Sequence, residues 1–319
     1  MDKKCYRNEM IKRLKDSAAP EPVYETPFAF TPAKGLNSLP LLITSPHSGA
    51  HYSDAFIEDS RLDAHLIRQS EDMYVDKLFE GAPALGAHLL AAHYPRAFVD
   101  LNRGENEIDP ALVVEDIPSH KDQSLPRVQA GLGTIPSVVA EDTPIYDNKL
   151  SLTEIESRIR DIYKPFHRQM KTTLINMHEE HDFALLIDAH SMPSQAGRQA
   201  APRNRSAQID IVLGNCHGRS CDIALANFIG DHFTRAGYTV AHNNPYAGGY
   251  ITSHYGRPEN GFHAIQVEIN RNLYMNEKTY EPLAGFDILK RDIDLLLIDL
   301  KNSIEDLTPQ MLATRKAAE

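Results

Sequence analysis

The sequence predicts an α/β fold with three layers, in which helices cover both faces of a mixed, mostly parallel sheet. Apolar runs over residues 40–45 and 183–189 are typical of buried parallel strands, which carry apolar side chains on both faces. Strand patterns of this kind alternate with helical patterns along most of the chain, as expected for an α/β sheet. A hairpin-like pattern across residues 88–101 predicts some antiparallel pairing, which makes the sheet mixed.

The predicted elements belong to one α/β domain, residues 38–319, preceded by an arm or irregular lead-in at residues 1–37. The lead-in is polar and contains four prolines. Predicted strands cover residues 40–45, a pair across 88–101, 183–189, 209–214, 238–242 and 263–269. Predicted helices cover residues 63–80, 151–181, 221–236 and 282–304.

Local signals support the first two predicted helices. The chain between these helices includes a stretch without a regular pattern. Apolar side chains recur at helical spacing over residues 63–80. Ser151 and Glu154 form a helix-start pattern, and Pro165 predicts a bend further along that helix. Residues 104–149 mix glycine, proline and acidic residues without sustained periodicity, which favours a loop or lid insertion on the catalytic face.

The composition restricts the class of protein. With 42% hydrophobic residues among 319, the chain can bury a sizeable core. Its longest apolar run, residues 295–298, is far too short to cross a bilayer, and residues 1–30 contain no apolar signal-peptide stretch. Three cysteines are too few, and odd in number, for a disulfide framework, so a cytoplasmic location is expected. A formal net charge of −11 argues against nucleic acid as a partner, but not against a small anion.

Two histidines stand at the ends of predicted strands. His47 follows the strand over residues 40–45, and His190 lies at the end of the strand over residues 183–189. Ligands of open α/β sheets bind at the carboxyl edge of the strands, so the two imidazoles are candidate metal ligands. The alternative is that both are ordinary hydrogen-bonded loop histidines.

A third metal ligand is expected among the acidic residues of 70–76. Glu71 and Asp72 are adjacent in a predicted helix and point about 100° apart, so they cannot both face one ion without distortion. Asp72 is the favoured ligand of the two. The alternative is a pair of solvated carboxylates near a helix start, stabilised by the helix dipole.

Two arginines bracket a predicted strand within residues 94–103. Arg96 and Arg103 could each hold a carboxylate with two parallel hydrogen bonds, which a lysine would do less specifically. The alternative is a structural salt bridge from either arginine to Asp100 or Glu105.

A glutamate interrupts the apolar strand over residues 263–269. Burial of Glu268 is costly unless it is paired or functional, and the raised pKa that burial produces suits a general base. The alternative is a buried ion pair with Arg271.

Paired glycines precede a short helical pattern within residues 244–258. The backbone N–H groups near Gly249, together with His254, could face an anion at the start of this helix. An ordinary tight turn is the alternative.

Six segments of the chain, in order, resemble the N-formylglutamate amidohydrolases of histidine degradation. They are residues 45–49, 71–76, 100–103, 188–192, 248–252 and 263–268, and the similarity extends from about residue 38 to 302. The resemblance implies a phosphorylase/hydrolase-like α/β fold, shared with zinc carboxypeptidases and aspartoacylases. It also implies zinc-dependent hydrolysis of N-formyl-L-glutamate to formate and L-glutamate. One departure is residues 70–74, Ser-Glu-Asp-Met-Tyr, where many relatives carry Asp-Thr-Asp-Trp-His.

The resemblance also implies roles for individual residues. It supports His47, His190 and one acidic residue of the 71–72 pair as ligands of one zinc ion, and Glu268 as the catalytic carboxylate; His254 is a second catalytic candidate. The small anionic substrate carries two carboxylates, and the candidate substrate-binding residues are Arg96, Asn102, Arg103, Gly249, Arg257 and Arg271. Arg103 and Arg271 are favoured as the carboxylate partners.

Two other functions remain open at this stage. One is a related metal-dependent N-acyl-amino-acid deacylase or carboxypeptidase-like hydrolase of another acyl amino acid. The other is a non-catalytic anion-binding protein that retains the fold without binding a metal.

Overall fold

A seven-stranded sheet forms the centre of the molecule. It is seen in a computed structural model that describes residues 26–35, 38–117, 125–200 and 208–318. The strands of the described part are β1 (Phe28–Thr31), β2 (Leu41–Ser45), β3 (His88–Ala92), β4 (Val138–Ala140), β5 (Thr143–Pro144), β6 (Ala184–Met192), β7 (Ile211–Gly214), β8 (Val240–His242) and β9 (Phe262–Asn270). Strands β4 and β5 form a separate antiparallel pair.

The sheet is mixed and mostly parallel, as predicted. Its strand order is β1-β3-β2-β6-β9-β7-β8. Four neighbouring pairs are parallel (β3/β2, β2/β6, β6/β9 and β7/β8), and two are antiparallel (β1/β3 and β7/β9). The three central strands β2, β6 and β9 therefore bring their carboxyl ends to one edge.

The antiparallel pairing does not come from the predicted hairpin. Only His88–Ala92 of residues 88–101 is a strand, and residues 93–103 form turns, so that prediction is wrong. The N–H groups of Phe98 and Val99 both bond to the carbonyl of Pro95, which closes a turn where a second strand was expected. The strand that pairs antiparallel with β3 is β1, which lies within the predicted irregular lead-in. Residues 1–25 and 36–37 of that lead-in lie outside the described residues.

Helices cover both faces of the sheet. They are α1 (Asp54–Asp59), α2 (Val75–Leu78), α3 (Ala82–Leu85), α4 (Pro126–Gln129), α5 (Leu152–Arg158), α6 (Lys164–His181), α7 (Ser194–Ala200), α8 (Ile223–Arg235), α9 (Tyr250–Tyr255) and α10 (Gly285–Ala318). Successive strand residues point to opposite faces. Accordingly, Ile43 and Ile187 pack in one core with α8 and α10, while Leu42 and Leu186 pack in another with α5 and α6. The three-layer prediction is confirmed. No helix of the described part has both the length and the apolarity needed to cross a membrane.

The predicted helix over residues 63–80 is wrong as a continuous element. A 3₁₀ turn at Leu66–Arg68 and the short α2 replace it, with irregular chain between them. Tyr74 adopts a left-handed conformation with φ of 65°, and the N–H of Asp72 donates to the carbonyl of His47 rather than to a helical partner. Tertiary hydrogen bonds therefore override the helical spacing, and the angular argument about Glu71 and Asp72 does not apply.

The predicted helix over residues 151–181 is present, and its hydrogen-bonding pattern changes near Pro165. A π-helical segment, Ile159–Tyr163, joins α5 to α6 immediately before Pro165. Proline has no N–H to donate to the preceding turn, which favours a local change of helical hydrogen bonding.

Candidate active site

A cavity of about 1440 Å³ opens at the carboxyl edge of the central strands. His47 lies two residues beyond the end of β2, while His190 and Glu268 lie near the ends of β6 and β9. The parallel register pairs His190 directly with Glu268 across β6 and β9. Backbone pairing, rather than side-chain contacts, therefore sets the distance between these two groups.

His47, Asp72 and His190 converge in this cavity and could hold a metal ion. Their candidate ligand atoms all lie within 4.8 Å of one another, and all three side chains are buried. The Oδ2 atom of Asp72 lies 3.0 Å from Nδ1 of His190 and 3.4 Å from Nδ1 of His47. Within the described structure, Nδ1 of His47 has no hydrogen-bond partner. Two imidazole nitrogens and one carboxylate oxygen, one of them an unsatisfied buried nitrogen, fit the donor set of a catalytic zinc site.

Two further carboxylates orient the imidazoles. Nε2 of His47 lies 2.7 Å from Oδ1 of Asp100, and Nε2 of His190 lies 3.1 Å from Oδ1 of Asp188. When each Nε2–H donates to its carboxylate, the lone pair of each Nδ1 faces the cluster, which is the tautomer a metal ligand needs.

The charges around the cluster favour a cation. Burial alone would lower the pKa of His190, but Asp188, Asp72 and Glu268 raise it well above its usual value. Surroundings that retain a proton on His190 also attract a divalent cation to the same place.

Arg271 and Ser191 fix the orientation of Asp72. Nη2 of Arg271 donates to Oδ1 of Asp72 over 3.0 Å, and the Ser191 hydroxyl donates to the same oxygen over 3.2 Å. Burial would raise the pKa of Asp72, but the neighbouring imidazoles of His190 and His47 lower it well below its usual value. Asp72 is therefore an ionised carboxylate with Oδ2 directed at both imidazoles.

Glu71 is turned away from the histidines. Its carboxylate accepts two hydrogen bonds from Arg68, at 2.9 and 3.0 Å, and one from the Tyr52 hydroxyl at 3.0 Å. The structure therefore brings Asp72, and not Glu71, to the two imidazoles.

Glu268 is buried beside the cluster. Its Oε1 accepts a hydrogen bond of 2.7 Å from the side-chain amide of Gln266, and burial raises the pKa of Glu268 to about 7. The ion pair with Arg271 that was the alternative is not found among the described residues, because Arg271 pairs with Asp72.

Arg96 and Arg103 line the cavity on a segment that we call the recognition turn, residues 96–103. Nη2 of Arg96 donates to Oδ2 of Asp100 over 2.7 Å, and Nη2 of Arg103 lies 3.8 Å from the same oxygen. Burial would raise the pKa of Asp100, but the two arginines lower it well below its usual value. Asp100 thus connects the recognition turn to His47.

Asn102, at the end of the recognition turn, holds neighbouring elements together. Its Nδ2 lies 3.4 Å from Oδ2 of Asp188, and its Oδ1 accepts from the N–H of Ile251 over 2.7 Å. These contacts make Asn102 a bridge between β6 and α9, whereas the sequence predicted a substrate-binding residue.

The recognition turn is supported from α6 and the π segment before it. The Tyr163 hydroxyl donates to the carbonyl of Arg103 over 2.6 Å, and Nε2 of His167 lies 2.9 Å from the carbonyl of Leu101. From the 104–149 insertion, the carbonyl of Leu132 accepts from Nε of Arg103 over 2.8 Å.

The glycines before α9 allow close packing at the cavity wall. The N–H of Gly249 donates to Oε1 of Gln266 over 2.7 Å, so it is already satisfied within the protein. A Cβ at Gly249 would lie 2.4 Å from Nδ2 of Asn102, which explains why no side chain fits there. Gly249 lines the cavity, as a substrate-binding residue would, but the structure has its N–H bonded to Gln266.

His254 and Arg257 do not line the cavity, contrary to the roles predicted for them. The His254 ring stacks on Tyr250 at 4.8 Å, and Nη1 of Arg257 donates to the carbonyls of Ser253 and Gly256. His254 lies on α9 and Arg257 lies two residues beyond its end, and both side chains are exposed, a direction that the short sequence pattern did not reveal.

Sequence reasoning missed three residues that position the candidate catalytic groups: Asp100, Asp188 and Gln266. For two of them a signal was present, since Asp188 and His190 are two apart in one strand, as are Gln266 and Glu268, and such residues share a face. Asp100 carried no comparable signal because it reaches His47 through the recognition turn.

The family model of N-formylglutamate amidohydrolase matches residues 39–275. The chain belongs to this family. It is 30% identical over 270 residues to an N-formylglutamate deformylase of Pseudomonas putida, covering 83% of this chain and 92% of that one. It is 33% identical over 250 residues to an N-formylglutamate deformylase of Pseudomonas aeruginosa, covering 75% and 84%.

A solved structure of the family has the same fold. The crystal structure of N-formylglutamate amidohydrolase from Ralstonia eutropha JMP134 aligns with a TM-score of 0.82 and 34% identity, covering 88% of this chain and 99% of that chain.

Proposed function

We propose that this member of the N-formylglutamate amidohydrolase family hydrolyses N-formyl-L-glutamate to L-glutamate and formate in a zinc-dependent reaction. The observation that carries the proposal is the buried cluster of His47, Asp72 and His190, with Glu268 beside it in the cavity. Its deformylase relatives are similar over most of their length, which supports the substrate.

The proposed zinc ligands are His47, Asp72 and His190. The donor set fits, and Nδ1 of His47 is a buried nitrogen without a partner in the described structure. Bound there, zinc would supply a Lewis acid for the formyl carbonyl and lower the pKa of a water molecule. Asp100 and Asp188 hold the two imidazoles in the tautomer that presents Nδ1.

Glu268 is the proposed general base and acid. Gln266 occupies Oε1, so Oε2 is the atom that takes a proton from the attacking water. The same carboxyl group then returns the proton to the amide nitrogen as the C–N bond breaks, since an amine leaves poorly until it is protonated. The oxygen of water ends in formate, and the nitrogen leaves as the amine of glutamate.

The recognition turn is the proposed partner of the α-carboxylate. This group lies next to the scissile amide and must therefore bind close to the cluster, where Arg96 and Arg103 share Asp100 with His47. Arg271 lines the same cavity but is committed to Asp72, so we assign it to orienting that ligand rather than to binding substrate.

The proposed partner is thus a small dianion, and the proposed location is the cytoplasm. Cys216 and Cys221 are free thiols, which agrees with a reducing compartment.

The decisive test of the reaction compares acyl groups. Formate, acetate or succinate release should be measured from the N-formyl, N-acetyl and N-succinyl derivatives of L-glutamate under identical conditions. The proposal predicts rapid turnover of the formyl compound and little of the others. Comparable rates for all three would contradict it in favour of a general N-acyl-amino-acid deacylase.

A further inference from the structure

The arginines that line the cavity differ in how they are neutralised. In the described part of the chain there are five, namely Arg96, Arg103, Arg127, Arg198 and Arg271. Four lie within 4.0 Å of a carboxylate oxygen: Arg96 and Arg103 at Asp100, Arg127 at Glu107, and Arg271 at Asp72. No such ion pair of Arg198 occurs among the described residues. Arg198 is therefore the cavity arginine whose charge is most available to a ligand.

Arg198 is held in place by a hydroxyl and not by an acid. Helix α7 begins at Ser194, directly after β6, and Nη2 of Arg198 donates to the Ser194 hydroxyl over 3.3 Å, one helical turn away. That hydroxyl and the N–H of Ser194 donate to the two oxygens of Glu277 over 2.6 and 2.8 Å. Ser194 is buried and Arg198 is exposed, so a fixed hydroxyl anchors a guanidinium that projects along the cavity wall.

The proposed substrate has a second carboxylate, which requires a second cationic partner in the cavity. Its α-carboxylate is attached to the same carbon as the scissile amide, whereas its side-chain carboxylate lies at the end of a two-methylene arm. The recognition turn contacts the ligand His47 through Asp100. Arg198 lies on α7, which begins beyond Ser191, the β6 residue that touches Asp72. Arg96 and Arg103 thus adjoin the cluster through Asp100, whereas no contact of Arg198 with the cluster is found among the described residues, an arrangement that suits one carboxylate beside the scissile amide and one at the end of the arm.

We propose that Arg198 binds the side-chain carboxylate of the substrate and determines the preference for an acidic side chain. This inference rests on the proposed function, because it takes N-formyl-L-glutamate as the substrate. An arginine is suited to the task, since its planar fork can donate two parallel hydrogen bonds to one carboxylate. Arg127 is a weaker candidate because two of its nitrogens already contact Glu107 at 2.6 Å.

The test compares two substrates that differ only in the side-chain charge, N-formyl-L-glutamate and N-formyl-L-glutamine. KM and kcat are measured by formate release for the wild type, Arg198→Gln and Arg198→Lys. Arg168→Gln, which removes an exposed arginine of α6 outside the cavity, is the matched control. Thermal unfolding of each variant verifies that it is folded.

The expected result is specific to the charged substrate. Loss of a charge-assisted contact should raise KM of Arg198→Gln for N-formyl-L-glutamate about 10- to 150-fold. KM for N-formyl-L-glutamine should change little, so the preference of the wild type for the charged substrate should disappear. Arg198→Lys should recover part of it, and Arg168→Gln should behave as the wild type.

Two results would overturn this inference and leave the proposed function intact. One is an unchanged substrate preference in Arg198→Gln, and the other is an equal rise in KM for both substrates. A wild type that releases no formate from either compound would instead contradict the proposed function, and the inference with it.

Discussion

The metal cluster and the recognition turn lie side by side in one cavity but are supported in different ways. His190 and Glu268 are register partners on the parallel strands β6 and β9, so the backbone ladder fixes their separation. The recognition turn has no such ladder, and Tyr163, His167 and the carbonyl of Leu132 hold it instead. The candidate catalytic groups His190 and Glu268 thus lie on paired strands, while the recognition turn depends on contacts from α6, the segment before it and the 104–149 insertion. Substitutions should affect the two regions in separable ways.

Removal of a ligand from the metal cluster should have the largest effect. His190→Ala takes away one of three proposed donors and leaves the buried carboxylates of Asp72 and Asp188 without the imidazole between them, so both zinc binding and formate release should be abolished. Metal analysis of protein purified without a histidine tag, alongside the formate assay, measures both quantities. Stoichiometric zinc retained at this site in His190→Ala would contradict the ligand assignment.

Glu268→Gln should separate chemistry from metal binding. The amide keeps the shape of the side chain but cannot accept the proton of water, so kcat should fall by at least roughly 100-fold, the low end of general base catalysis. Zinc content should remain at the wild-type level. Near-normal turnover would show that Glu268 has a structural role only.

The two arginines favoured from sequence should now give different phenotypes. Arg103→Gln should weaken apparent substrate affinity about 10- to 150-fold without changing zinc content, since Arg103 belongs to the recognition turn. Arg271→Gln should weaken zinc affinity about 10- to 100-fold, since Arg271 orients the ligand Asp72. Zinc titration and substrate kinetics on both variants distinguish the two roles, and the reverse pattern would exchange their assignments.

The smallest expected effect on activity concerns the support of the recognition turn, whose contribution appears as a pH dependence of stability. Burial lowers the pKa of His167 from its usual value near 6.5 to about 4. The unfolded chain therefore binds a proton before the folded chain does, and stability present above pH 6.5 is lost as the pH falls towards 4. At 1.4 kcal/mol per pKa unit the loss is at most about 3 kcal/mol.

His167→Gln isolates this contribution because glutamine does not titrate. Urea unfolding of both proteins at pH 7 and at pH 4.5 should show a steeper loss of unfolding free energy in the wild type. Other buried histidines, such as His263, affect both proteins equally. Parallel behaviour of the two proteins would mean that His167 remains accessible to protons in the folded state.

The same contrast explains what could be predicted from the sequence. Residues at the ends of strands could be placed from the sequence, because apolar runs locate buried strands and parallel strands share one carboxyl edge. That reasoning placed His47, His190 and Glu268 together correctly. The choice of Asp72 over Glu71 agrees with the structure, but it relied on a continuous helix that does not form. The left-handed Tyr74 and a backbone hydrogen bond from Asp72 to His47 interrupt that helix.

Residues whose positions depend on turns could not be placed from the sequence in this way. Residues 94–103 have a strand-like pattern, yet Pro95 and Asp100 organise them into a turn through local and long-range hydrogen bonds. His254 and Arg257 carry suitable chemistry, but the orientation of α9 and of the chain that follows it places them away from the cavity. Arg198 gave no sequence signal, because its distinction is the absence of a carboxylate partner in the described structure.

The central claim is that one zinc ion, held by His47, Asp72 and His190, is required for release of formate from N-formyl-L-glutamate. The most direct measurement is a zinc titration of chelator-stripped protein, with bound metal and formate release determined on the same samples. Activity should be absent at the start, rise in proportion to bound zinc, and saturate at one ion per chain. Full formate release from the metal-free protein would contradict the claim.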